Sequence, residues 1–159
     1  MITVTINSIP YSYPTSGDDP GWGSDASDAF VAVTEVLNNL LGPNDVLTTS
    51  FSIANNQSSV ADVTGLVFNG ASARSIRITY DLYRISTTNT FGKAETGLIE
   101  ILYDNNAPAP WSIGQGNILG NAGVAFSITT SGQIQYTSTD IGSTSYSGTM
   151  TFRGISIQI

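Results

Sequence analysis

From Gly123 to Ile159 the chain places its larger apolar residues at every second position, a period that buries one face of an extended strand and gives no continuous stripe on a helix. Val124, Phe126 and Ile128 alternate with small or polar residues, as do Ile134, Tyr136 and Ser138. Thr130-Ser131-Gly132 lies between them, with a glycine where a positive φ is needed, so the two runs are predicted to form a tight antiparallel hairpin. A last strand follows a polar loop. In it Met150 and Phe152 share one phase while Ile155, Ile157 and Ile159 take the other, and the switch falls at Arg153-Gly154. A β-bulge there would keep all five facing inward.

The same logic runs back through the chain. Ile2, Val4 and Ile6 make a short first strand, and Tyr11 to Gly23 is too dense in proline, glycine and aspartate for regular structure. A helix is predicted over 25–41. Ser24 or Asp25 can cap it, Asp28 suits the positive end of its dipole, Phe30, Val33, Leu37 and Leu40 form its apolar stripe, and Gly42-Pro43 ends it. Further strands are expected over Val46–Ile53, around Gly65 within 59–68, over Ala73–Ile85 and over Glu95–Tyr103, the last central or at an interface because both its faces are partly apolar. Residues 112–122, with glycines at 114, 116 and 120, read as flexible or tightly turned, with Ile118-Leu119 folding back on the core. Short alternating strands separated by Gly, Asn and Pro turns argue for a mainly β fold: an antiparallel β-sandwich of jelly-roll type, one domain over 1–159, with the helix near 25–41 packed at an end.

At 159 residues such a core needs no covalent staple, and the chain has no cysteine to supply one. It also has no histidine, which excludes imidazole metal sites, histidine acid-base catalysis and Ser-His-Asp triads. Twelve acids against five bases give a net charge of -7, which opposes binding to a phosphate backbone, so no nucleic-acid partner is expected. No stretch approaches the roughly 20 apolar residues of a membrane helix, and the opening Met1-Ile-Thr-Val-Thr-Ile reads as a strand, with neither the basic end nor the long apolar run of a signal peptide. No membrane partner is expected.

Few residues offer chemistry. Glu35, Glu95, Glu100 and nine aspartates could build a two-carboxylate hydrolase, but no spacing gives any pair a shared pocket, and each is read as solvated. No catalytic residue, cofactor or metal site is assigned. Asp18 and Asp19 cap turns in the favoured reading, with calcium ligation as the alternative. Tyr11, Tyr13, Trp22 and Trp111 sit in or beside loops, where they either cap the core or stack on sugar rings as glycan or partner contacts. The stripe of Phe30, Val33, Leu37 and Leu40 packs on the β-core or lines a subunit contact. Arg74, Arg77, Arg84 and Arg153 are expected to pair with acids on strand faces, Arg77 with Asp81 among them, the alternative being contact with an acidic glycan or an anionic capsid patch.

The segment from Phe126 through Gly132 and Tyr136 to Thr139, followed by Tyr146-Ser-Gly-Thr-Met150-Thr-Phe152-Arg153, resembles the C-terminal β-rich domains of bacteriophage tail-fibre and other virion surface proteins. Ser75–Arg84 and Glu95–Ile101 resemble the two strands that precede that block, so the likeness covers about half the chain and includes no catalytic motif. The Tyr-Pro, Gly-Asp and Trp-Gly steps between residues 13 and 23 are similar to openings of phage structural proteins. The resemblance implies a non-enzymatic virion protein, a homotrimer whose partners are its own copies, other phage capsid or tail proteins and a host surface glycan. A chain that opens on Met1 and holds little beyond one domain points to a small stand-alone component, either a capsid decoration protein or a tail-fibre or tail-tip subunit. A monomeric carbohydrate-binding module or receptor-binding adhesin domain is the alternative.

Overall fold

The computed structural model describes residues 2–6, 9–13, 30–35, 45–87 and 89–158. The chain divides into two compact units, Met1–Pro43 and Asn44–Ile159. In the first, strands β1 (Ile2–Ile6) and β2 (Ile9–Tyr13) pair antiparallel, with Val4 opposite Tyr11 and Ile2 opposite Tyr13. The expectation of irregular chain from Tyr11 onward is therefore corrected for its first three residues: β-favouring Ile and Tyr win over Pro10, which a two-stranded ribbon of edge strands tolerates. Residues 30–35 form helix α1. Its buried member is Thr34, whose hydroxyl donates to the Phe30 carbonyl at 2.7 Å, while Phe30 and Val33 are 37% and 57% exposed. The rest of the expected helix, with Leu37 and Leu40, lies outside the described residues.

The second unit is a sandwich of two antiparallel sheets. Strands β3 (Val46–Ser52), β5 (Ala73–Ser86), β6 (Asn89–Tyr103), β7 (Trp111–Gly120) and β10 (Ser147–Gln158) form one sheet in the order β3-β10-β5-β6-β7. Strands β4 (Ala61–Val67), β8 (Val124–Ile128) and β9 (Gln133–Ser138) form the other, in the order β4-β9-β8. Five strands thus face three, which is not the double four-stranded arrangement of a jelly roll. The core between them takes Ile76, Ile78, Tyr80 and Leu82 from β5, Ile99 and Ile101 from β6, and Met150 and Phe152 from β10, all at 2% exposure or less. Ile134 and Tyr136 of β9 and Val124 of β8 close it from the opposite side.

The β8–β9 hairpin forms as its alternation dictates, with Phe126 opposite Tyr136 and Ile128 opposite Ile134. Gly132 adopts φ +85°, and a side chain there would also collide with the Phe68 carbonyl and crowd the Trp111 ring.

The final strand departs from expectation. Against β5 the register of β10 runs unbroken from Ser147 to Ile157, so Met150 and Phe152 point inward while Arg153, Ile155 and Ile157 point outward. The irregularity near Arg153 belongs to its other neighbour: Phe152 pairs with Thr49 and Gly154 with Val46, so the extra residue sits in β3. Ile155 and Ile157 are left 58% and 63% exposed. Of residues 112–122, expected to be flexible or turned, 112–120 belong to strand β7 because β6 offers them a hydrogen-bonding partner, with one irregularity between Gly116 and Leu119. Ile118 and Leu119, 49% and 74% exposed, do not return to the core.

Candidate functional site

The register across β10, β5, β6 and β7 places side chains on the outer face of the five-stranded sheet in rows. Ile157, Ser75, Leu102 and Ser112 make one row; Ile155, Arg77, Glu100 and Gly114 make the next; Arg153, Thr79, Leu98 and Gly116 make a third. Leu102 and Tyr83 on this face are 51% and 52% exposed. An open groove of about 450 Å³ runs over the first two rows. Arg77 and Glu100 pair across it at 3.2 Å, so Arg77 takes the acid on the neighbouring strand rather than Asp81 on its own. With both side chains more than half exposed, that pair fixes geometry more than it adds stability.

A second groove, about 530 Å³, opens at one end of the sandwich between Asn69, Gly70, Tyr103, Trp111, Thr130 and Ser131. Tyr103 and Trp111 close β6 onto β7 as a tilted aromatic pair with ring centroids 4.8 Å apart.

At the opposite end lies a polar cluster that sequence reasoning missed. Arg84, wholly buried on the inner face of β5, donates from Nη1 to the Ala122 carbonyl at 2.6 Å, from Nη2 to the Thr139 carbonyl at 2.6 Å and to Asn55 Oδ1 at 3.1 Å, and from Nε to the Tyr146 hydroxyl at 3.0 Å. Those partners belong to the β3–β4, β7–β8 and β9–β10 loops, so one guanidinium fastens three connections. The Asn55 amide continues outward to Asp140 at 2.7 Å. The Asp140 carboxyl is held below its usual range, chiefly by the Gly142 N–H and then by Asn55, with the Arg84 charge adding to them. Glu95, 7% exposed on β6, accepts from the Tyr80 hydroxyl and from the Ala122 N–H, each at 2.8 Å. Burial, reinforced by the bond to Glu95, pushes the Tyr80 phenol up to about 12.

These positions correct two expectations. Arg84 does not pair with an acid on a strand face, and Glu95 is not solvated; both are interior groups whose alternation with Leu82, Gly97 and Ile99 already placed them on the inward phase. Among the described residues, no buried side-chain polar atom lacks a hydrogen-bond partner, and no group of three His, Cys, Asp or Glu residues is placed to hold a metal.

Of the aromatic contacts expected from sequence, Trp111 is 7% exposed with its ring against Tyr103, so it forms a wall of the end groove rather than an open platform. Tyr11 and Tyr13 lie on β2, and Trp22, Asp18 and Asp19 lie outside the described residues. Phe30 and Val33 share α1, where both are exposed. Among the described residues, no helix is long and apolar enough to cross a membrane.

No protein-family model matches this chain, and no curated protein does. Among solved structures it has a weak likeness to the tailspike protein of Acinetobacter phage vB_ApiP_P1, at 16% identity and a TM-score of 0.36 over 71% of this chain. The chain spans 20% of that tailspike's length.

Proposed function

We propose that this chain is a non-enzymatic structural protein of the bacteriophage virion surface, assembling as a homotrimer in contact with other phage capsid or tail proteins. Its place is that of a capsid decoration protein or a small tail-fibre or tail-tip component. The observation that carries the assembly reading is the outer face of the five-stranded sheet, where Leu102, Ile155 and Ile157 each stay more than half exposed within one groove or beside it. Apolar residues gathered on one face mark a contact surface, whereas singly scattered ones do not. The virion part draws on the sequence resemblance of residues 126–139 and 146–153, which take in the end of β8, all of β9 and the first part of β10. Supporting the non-enzymatic part, the buried Arg84 and Glu95 are engaged with carbonyl, hydroxyl and N–H groups of the chain's own loops and strands. Light scattering of the purified chain tests the assembly: a mass near three times 16.7 kDa is expected, and a monomer at all concentrations would remove the reading. Mass spectrometry of purified particles tests the virion location.

The groove between Tyr103, Trp111, Asn69 and Ser131 favours a second reading, a glycan-binding module, because it sets an aromatic wall beside amide and hydroxyl groups. Quenching of Trp111 fluorescence by a polysaccharide, lost in Tyr103→Ala, would support it.

A further inference from the structure

Gly114 and Gly116 have no reason to be glycine inside this chain. Neither is among the glycines with positive φ, and a Cβ built on either meets no heavy atom within 4 Å. Gly116 borders a bulge, where three steps of β7 match two of β6, but the residue with left-handed backbone there is Asn117 at φ 51°. Glycine in a strand interior weakens the strand, and where no bend requires it, it marks a place where other chain comes close. With Ser112, these two positions make a nearly bare shelf along β7, the edge strand of the sheet.

Three strands away, Ile155 and Ile157 form a ridge on β10. Ridge and shelf lie in the same rows: Ile157 is level with Ser112, and Ile155 with Gly114. Closed cyclic assemblies rotate copies about an axis without sliding them along it. When that axis runs along the strands, a row on one copy therefore meets the same row on the next. The face is also balanced in charge: between Ser75 and Tyr83 its rows carry Arg77 and Arg153 against Asp81 and Glu100, in a chain whose net charge is -7. A surface that meets itself must avoid excess charge of one sign, and this one does.

We propose that the shelf at Ser112, Gly114 and Gly116 receives the Ile155–Ile157 ridge of a neighbouring copy of the same chain. This names the contact within the assembly reading above and depends on it. Bulky side chains on the shelf block docking without disturbing the fold, since the space above the two glycines is empty.

The test compares the wild-type chain with Gly114→Val/Gly116→Val by light scattering and thermal unfolding. The wild type is expected to assemble; the variant is expected to be monomeric with an unfolding transition as cooperative as before. A variant that assembles as the wild type does would overturn the docking while leaving the assembly reading in place, whereas a wild type that is monomeric throughout would remove both. Oxidative cross-linking of Gly114→Cys/Ile155→Cys gives an independent readout in a chain with no native cysteine. Within one chain the two positions lie three strands apart, roughly 14 Å at ordinary strand spacing and beyond disulfide reach, so any bond formed joins two copies. Covalent ladders ending at three support both docking and trimer, and a ladder ending at two supports docking while removing the trimer. Absence of cross-links in an assembled sample overturns the docking.

Discussion

Arg84 and Glu95 grip opposite ends of one residue: the guanidinium donates to the Ala122 carbonyl at 2.6 Å, and the carboxylate accepts from the Ala122 N–H at 2.8 Å. Ala122 is itself wholly buried. Two charged side chains thereby share the work of holding the β7–β8 connection, and each has its polar atoms engaged where water is excluded. Replacing Arg84 with methionine would strand the buried Ala122 carbonyl and remove one donor each from the Thr139 carbonyl and Asn55 Oδ1, which keep the N–H groups of Asn56 and Ile141. With about 1–3 kcal/mol for the stranded carbonyl and further loss from the other charge-assisted bonds, a cost of several kcal/mol is expected. Arg84→Lys should recover little, because one ammonium cannot span acceptors that lie in three loops. Urea denaturation of both variants checks this, and a lysine variant as stable as the wild type would show that the fork geometry is unimportant.

The Tyr80 phenol, raised to about 12, makes stability fall at high pH. An unfolded tyrosine ionises near 10, so the folded state prefers the neutral form. The contribution is complete below pH 10 and is lost as pH climbs from there through about 12. Tyr80→Phe abolishes this component and also frees Glu95 Oε1 from its donor. The variant should therefore start less stable at neutral pH, then lose less than the wild type between pH 10 and 12. Thermal midpoints measured across that range give the comparison, with the other tyrosines common to both chains.

At the acid end the relevant group is Asp140. Its folded value lies below the ordinary carboxylate range, so the stability it contributes is present above pH 4 and lost as pH falls below that through the folded value. Asp140→Asn should flatten this part of the acid-unfolding curve while leaving the alkaline limb described for Tyr80 untouched. An unaltered acid limb would mean that the Asn55 and Gly142 contacts do not form in solution.

Gly97 is opposite Tyr80 in the β5–β6 register, and a Cβ at residue 97 would meet the Tyr80 hydroxyl at 2.7 Å and its ring carbons at 2.9 and 3.0 Å. The ring cannot move away without breaking its bond to Glu95. Gly97→Ala is accordingly expected to cost about 1–3 kcal/mol, the range for overpacking, despite alanine's better strand propensity. Circular dichroism during urea titration would measure it.

Much of this architecture was legible because period-2 alternation is set by one buried face. The phases of Val124–Ile128, Ile134–Ser138 and Ile76–Leu82 read off directly, and so did the Gly132 turn. What alternation cannot supply is the identity of the neighbour. Residues 112–120 looked like a loop because their glycines hide the period, and only the β6 ladder makes them a strand. Arg84 and Glu95 carry the inward phase in sequence, but charge argued for the surface; the carbonyls and N–H groups that satisfy them come from segments tens of residues away. The outward phase of Ile155 and Ile157 was hidden for a related reason: their alternation suggested a core, and a bulge was needed to bring them into it.

That last reading and the observed register predict opposite outcomes for one pair of substitutions. If a bulge in β10 turned Ile155 and Ile157 inward, serine at both positions would leave cavities and cost several kcal/mol, as large-to-small core changes do. In the observed register both point outward at 58% and 63% exposure, so Ile155→Ser/Ile157→Ser should leave the stability of the monomeric unit within about 0.5 kcal/mol per site. Phe152→Ala, three positions before Ile155 and on the inward phase at 1% exposure, should cost about 3–5 kcal/mol. Making all three changes in the monomeric Gly114→Val/Gly116→Val background separates fold from assembly. In that background the serine pair should be nearly silent and the alanine severe, whereas in the assembled wild-type background the serine pair should also weaken association.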